Sequence, residues 1–305
     1  MIIVELFAGL GNQLFQYSAG FALSQKLNVP LKLNIQNFNK SDIYKFDLEP
    51  FNISATIATD QEISRAVDFP SDIISKSILK ISEKLKPKIL KRSIIREKTF
   101  HYDNVFNQAT KNCYLFGHWQ SEKYFNENSD LLKYEFSLKD DYKDLRHDLL
   151  NKICATISIS LIIRRGDYLK YPELNLYGED LTYYYNAMDY INSKIESPHY
   201  FIFSDDIDWV KLNLKLNKPH TFVSETYPGE EYKINTQRHQ DLILISYCKH
   251  HIITNSTFAW WGAWLSKYSN KIVIAPKNWF AKSKIWYDGN IANTDDIIPK
   301  SWITL

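Results

Sequence analysis

The back half of the chain alternates between two kinds of segment. Between residues 157 and 276, short apolar runs of strand length are separated by longer stretches with helical periodicity. ISISLII (157–163) precedes a tyrosine-rich helix (181–195), YFIF (200–203) a helix at 206–216, and TFVS (221–224) a helix at 237–249. HIIT (251–254), a helix at 256–267 and KIVIAP (271–276) complete the series. Strands joined through helices cannot pair as hairpins, so the pattern imposes a parallel α/β sheet. The front of the chain starts the same way. IIVELF (2–7) reads as a strand, AGLGNQ (8–13) as a tight turn, and residues 14–28 as a helix with Leu14, Phe15, Ser18, Phe21 and Ala22 on one face. Pro30 stops that helix, and VPLKLNI (29–35) returns as a strand. A charged stretch at about 126–150 interrupts the alternation, which divides the chain into α/β domains at 1–145 and 146–305.

Glycine is scarce. The 305 residues contain nine, where typical usage of about 7% would give about twenty. A chain that avoids glycine keeps it where a side chain does not fit. Five of the nine fall in four short segments: AGLGNQ, FGHWQSEKYF (116–125), RRGDY (164–168) and NSTFAWWGAWL (255–265). The first places backbone N–H groups at a helix N-terminus, where an anion can sit. It is not the GxGxxG of a nicotinamide-dinucleotide fold, because Leu14 and Phe15 stand where the third glycine would be.

The charge balance, 37 Lys+Arg against 35 Asp+Glu, argues neither for nor against a polyanionic partner, and nothing in it calls for nucleic acid. Three widely spaced cysteines without a CxxC exclude a disulfide scaffold and a cysteine zinc site, and fit a reducing cytosol. HExxH, Walker A and GxSxG patterns are absent, and no apolar run approaches the ~20 residues that span a bilayer. The opening MIIVELF lacks a basic n-region and reads as a buried strand rather than a signal peptide. Residues 60–99 read as helical, with nine basic residues between Lys76 and Lys98 and a break at Pro87. Such a segment is either a solvated helix face or a patch resting on anionic lipid.

Three expected strands end in polar residues, where doubly wound sheets bind ligands. The first ends in Arg164–Arg165–Gly166–Asp167–Tyr168, the second in Ser204–Asp205–Asp206, the third in Asn255–Ser256–Thr257. Arginine matches phosphate oxygens in a fork. On an extended chain the two arginines point to opposite faces, so one meets a ligand and the other suits a structural Arg–Asp pair. Asp205 offers acceptors to a purine, a ribose or a metal, while Asp206 also suits a helix cap. Asn255, Ser256 and Thr257 open a helix, either as plain caps or as donors to phosphate. Together they describe a site for a nucleoside diphosphate.

These segments, with FSDDIDW (203–209) and the long block 241–265 continuing into KIVIAPKNWF (271–280), resemble the bacterial α-1,2-fucosyltransferase family in sequence and order. The resemblance implies two Rossmann-like domains of the GT-B glycosyltransferase type. It implies metal-independent, inverting transfer of fucose from GDP-fucose, the donor substrate, to a terminal β-galactoside. It also implies that Arg164 holds the diphosphate, Asp205 reads guanine, and Ser256 and Thr257 hold phosphate or fucose, with Asn255 beside them. Gly9, Gly11 and Asn12 form the glycine loop, in which Asn12 faces the reacting sugar. Asp167 is the candidate general base, or else a partner for Arg165. Trp260, Trp261 and Trp264 either stack on sugar or belong to the core. Two positions depart from the family pattern: Ile162 stands where a histidine is usual, and Ala8 where the glycine loop often begins with a second glycine. An oligosaccharide or lipid-linked glycan acceptor would place the enzyme in surface polysaccharide (O-antigen) synthesis. It would then work in the cytoplasm, with peripheral contact at the inner membrane face. The alternatives are a fucosyltransferase of α-1,6 or other linkage, and a catalytically impaired GDP-sugar or glycan binder.

Overall fold

The computed structural model describes residues 1–41, 43–67, 92–142, 146–165, 180–223, 238–280 and 293–305. They fall into two compact units. The first comprises the described residues of Met1–Lys139 with Asp295–Ile297; the second comprises the described residues between Asp140 and Thr294, with Ile298–Leu305.

The first unit is built on β1 (Ile2–Glu5), α1 (Leu10–Leu27), β2 (Leu31–Asn34), β3 (Thr56–Ile57), α2 (Asp60–Val67), β4 (Arg92–Arg96), β5 (Asn112–Phe116) and α3 (Ser129–Glu135). Its strands lie in the order β3-β2-β1-β5-β4, and every pairing is parallel. The helix α1 is buried almost all round, from Leu10 to Ser24, rather than along one face as the periodicity suggested. Gly20 permits its close approach to the sheet, because a Cβ there would stand 2.9 Å from Leu31 Cδ1 and 3.1 Å from Val4 Cβ. The helix also starts earlier than expected, with Gly9 as its N-cap. The turn's left-handed residue is Ala8, at φ 61°, not a glycine. Asp296 returns to this unit, accepting the Tyr102 N–H at 2.9 Å and pairing with Lys123.

One expectation is corrected. The stretch read as helical over 60–99 begins as α2, but Arg92–Arg96 is the strand β4, in register with β5 from Arg92↔Asn112 to Arg96↔Phe116. Ile94 and Ile95 are β-branched, and the ladder offered by NCYLF outweighs the helical spacing. Residues 68–91, most of the basic segment, lie outside the described residues.

The second unit contains α4 (His147–Ala155), β6 (Ile157–Ile163), α5 (Thr182–Lys194), β7 (Pro198–Ser204), α6 (Ile207–Asn213), β8 (His220–Phe222), α7 (Arg238–Tyr247), β9 (His250–Ile252), α8 (Thr257–Leu265), β10 (Val273–Ala275) and β11 (Ile303–Thr304). All its pairings are parallel, in the order β11-β10-β9-β6-β7-β8. Numbered within the unit this is 6-5-4-1-2-3, the Rossmann order read from the other edge. Six of the seven residues of β6 are buried, as a strand covered on both faces requires. His251 lies fully buried in β9, its Nδ1 2.8 Å from Ser160 Oγ, and burial holds its imidazole well below the ordinary pKa. Both units are therefore Rossmann-like α/β assemblies. Among the described residues no helix is long and apolar enough to cross a membrane.

Candidate active site

In the second sheet β6 lies between β9 and β7, so the strand order turns outward on either side of the β6–β9 pair. A crevice opens beyond the carboxyl ends of strands at such a point. The pocket found here is lined by Ile162 and Arg164 from the end of β6, by Phe203 and Asp205 at the end of β7, and by Ser256 and Phe258 at the start of α8. Arg238 and Asp241, from the first turn of α7, complete its polar wall.

The adjacent arginines have separate tasks. Arg165 is nearly buried, with 7% of its side chain exposed against 34% for Arg164. Its Nε donates to Asp206 Oδ2 at 3.0 Å, and its guanidinium lies over the Trp209 ring at 3.5 Å. Asp206 is also the N-cap of α6, accepting the Trp209 N–H at 3.3 Å. Arg165, Asp206 and Trp209 thus lock the end of β6 to the start of α6. Arg164 instead lines the pocket, with its Nε 3.8 Å from Asp205 Oδ2. The other oxygen of Asp205 accepts the Arg165 backbone N–H at 2.7 Å. Asp205 therefore joins the ends of β6 and β7 and holds the Arg164 head group within the pocket.

The third strand end also divides its roles. Ser256 is the N-cap of α8, yet its hydroxyl makes no capping bond, and it lines the pocket. The first N–H groups of α8 start from this position, with the positive end of the helix dipole. Asn255 donates from Nδ2 to the Trp279 carbonyl at 2.8 Å and accepts from Thr254 Oγ1 at 3.1 Å, so its amide ties the loop together. Thr257 is half-buried in the first turn of α8. Trp260 and Trp261 are fully buried and Trp264 nearly so, in contact with one another and with Trp302, which makes them core residues. Asp167, with Gly166 and Tyr168, lies outside the described residues.

Gly9, Gly11 and Asn12 belong to the first unit, where the strand order turns at β1 and β5. The glycine loop leaves β1 and the FGHWQ loop leaves β5, and the two are joined by Gln120 Nε2 donating to Asn12 Oδ1 at 2.6 Å. Glu97, just past β4, underpins the second loop. Its carboxylate accepts the N–H groups of His118 at 2.7 Å and Trp119 at 3.0 Å. Burial nonetheless pushes its pKa up to about 8, against the pull of those two amides.

Sequence reasoning passed over Arg238, Asp241, Glu97 and Gln120. The first two stand three residues apart on one helix, which places both on one face, and that spacing was the available signal. Gln120 lay inside a recognised segment but touches its partner across 108 positions of sequence. A fixed cation, the N-terminus of a helix, a cap hydroxyl that makes no capping bond and two carboxylates around one crevice can hold a nucleoside diphosphate and take up charge developing on it.

The Glycosyl transferase family 11 model matches residues 1–305. The chain is 32% identical to an "Alpha-1,2-colitosyltransferase" of Escherichia coli, covering 100% of this chain and 99% of that one. It is also 32% identical to the Escherichia coli "O-antigen biosynthesis glycosyltransferase WbnK", over 98% and 99%. Identity to the human "Galactoside alpha-(1,2)-fucosyltransferase 1" is 25%, over 47% of this chain and 40% of the human one.

Proposed function

The chain belongs to Glycosyl transferase family 11, and on that footing we propose that it transfers L-fucose from GDP-β-L-fucose to the 2-hydroxyl of a terminal β-galactoside. The product linkage is α-1,2. The observation that carries this reading is the meeting of Arg164 and the N-terminus of α8 at one pocket, at the switch point of a Rossmann-ordered sheet. The names of the relatives support the linkage and the place in O-antigen synthesis.

In the proposed reaction the bond between fucose C1 and the diphosphate oxygen breaks as the acceptor oxygen bonds C1 from the opposite face. The acceptor's hydroxyl proton leaves to a base or to water, and Asp167 is the candidate base. Charge collects on the departing GDP. Arg164 and the α8 amides, with Ser256 and Thr257, are aimed at that charge, so no metal is needed to neutralise it. Asp205 and Asp241 are the pocket carboxylates suited to a purine's N–H groups or a ribose hydroxyl. Ile162 gives the pocket an apolar wall and has no proton to transfer. The acceptor is an oligosaccharide or lipid-linked glycan met at the cytoplasmic membrane face.

A second reading has one observation in its favour. The colitosyltransferase matches over the full chain, and colitose is L-fucose without its 3-hydroxyl. A site that hydrogen-bonds that hydroxyl rejects the deoxy sugar by about 10⁴-fold, whereas an apolar one does not. The test is turnover of GDP-fucose and GDP-colitose against a panel of β-galactosides, with chelator present throughout and the product linkage assigned by NMR. Fucose on the 2-hydroxyl is the expected product. Transfer of colitose alone would move the reading to the second donor, and a 1,6 product would overturn the linkage.

A further inference from the structure

We infer that Gln120 is a positioning residue for the transfer. It holds the Asn12 amide so that this side chain presents its NH₂, not its carbonyl, to the reacting sugar. The inference rests on the reading that Asn12 faces that sugar.

The contact sits where the first sheet would receive a ligand, beyond the carboxyl ends of β1 and β5 at the turn of the strand order. Gln120 is 4% exposed and Asn12 is half-buried. Gln120 Nε2 donates to Asn12 Oδ1 at 2.6 Å, and its own Oε1 is buried with no hydrogen-bond partner among the described residues. Turning both amides round would bury an unpartnered NH₂ in place of that carbonyl, and orphaned N–H groups are the rarer defect. The pair is therefore polarised. Asn12 spends its oxygen inward and keeps its N–H donors for the ligand side.

Much of the surrounding loop serves to place this one glutamine. Glu97 gathers the amides of His118 and Trp119. Trp119 adopts a left-handed φ of 56°, its indole fully buried against Phe106 and Tyr124. A Cβ on Gly117 would stand 2.5 Å from Glu97 Cβ, so only glycine lets the turn close on that carboxylate. The facing loop is equally fixed. The Gln13 amide donates to the carbonyls of Ala8 at 2.9 Å and Lys45 at 2.8 Å, and accepts the Asp47 N–H at 2.9 Å. An amide neither takes nor gives up a proton near neutral pH, so Asn12 acts by donating to a sugar oxygen.

Gln120→Glu tests the assignment. The shape is kept, but an ionised carboxylate has no proton for Asn12 Oδ1 and draws the amide round. With GDP-fucose and a β-galactoside at about pH 9.5, above the range in which burial keeps a carboxyl protonated, kcat should fall at least about tenfold relative to wild type while the donor KM stays within about twofold. Relative to wild type, kcat should recover as the pH is lowered to about 5, because the protonated acid donates again. Gln120→Leu should be impaired at every pH without recovery. A Gln120→Glu enzyme with unchanged kcat, or with a loss that does not recover, would overturn the assignment. Asn12→Ala separates the two layers. If it keeps full turnover, or if wild type turns over no GDP-fucose, the reading of Asn12 fails and takes the inference with it. If it loses turnover while both Gln120 variants keep theirs, only the role of Gln120 fails.

Discussion

Arg164 and Arg165 adjoin in sequence, yet their surroundings make opposite demands on a substitution. On the proposed reading, Arg164→Ala should cost about 100- to 1,000-fold in kcat with GDP-fucose and leave the melting temperature nearly unchanged, because it would remove charge aimed at the leaving group and little packing. Arg165→Ala should instead lower stability by about 1–3 kcal/mol in urea titration, since it strips the Trp209 face and leaves Asp206 without its partner. Equal effects on both readouts would contradict this division. Ala8 presents a different case. At φ 61° it bears the left-handed strain of about 1–2 kcal/mol that the usual glycine avoids. Ala8→Gly should therefore stabilise the protein by about 0.5–1 kcal/mol after the added freedom of the unfolded chain is subtracted. Glu97 sets a pH dependence. Its folded pKa, about 8, lies above the ordinary glutamate value of 4.5. Its contribution to stability is therefore complete below about pH 4.5 and lost as the pH rises through about 8. The buried imidazoles of His250 and His251, held low, work the other way and lose stability as the pH falls. Comparing Glu97→Gln with wild type isolates the carboxyl. The fall in melting temperature between about pH 5 and pH 8 should be smaller in the variant, and parallel curves would refute the assignment.

The packing of α7 against α8 is where the scarce glycines have their clearest structural effect. A Cβ on Gly262 would lie 2.3 Å from Ile245 Cγ2 and 3.0 Å from its Cβ, with no flexible side-chain tip to give way. Gly262→Ala should cost about 1–3 kcal/mol in chemical denaturation, and a neutral result would mean that the helices separate freely. Elements such as these were legible to different degrees. The strand β6 has its expected limits, 157–163, because an unbroken apolar run with a polar end has few other uses. The strand β4 was not legible. Its identity depends on β5, whose pairing no local window contains. The site followed the same rule. Arg164, Asp205 and Ser256 could be read because each ends a recognisable strand. Arg238 and Asp241 were passed over because they reach the pocket from a helix start whose flanking charges look like ordinary solvated ones. Gln120 and Glu97 become meaningful only once β1, β4 and β5 are brought side by side.

At the scale of the molecule, the chain is two parallel-sheet units, each with its own helices and buried interior, and neither depends on disulfides, since Cys113, Cys154 and Cys248 are all free. The nucleotide site proposed above lies in the second unit. There the Rossmann order creates a crevice, and the residues lining it supply charge, amides and carboxylates. A nucleotide bound there at about 100 times its Kd should add about 2.7 kcal/mol to that unit's stability. The most direct measurement is a crystal structure of the protein with GDP. The account predicts the diphosphate within hydrogen-bond reach of the Arg164 guanidinium, the Ser256 hydroxyl and the first amides of α8. A nucleotide lodged away from the end of β6, with Arg164 untouched, would contradict it.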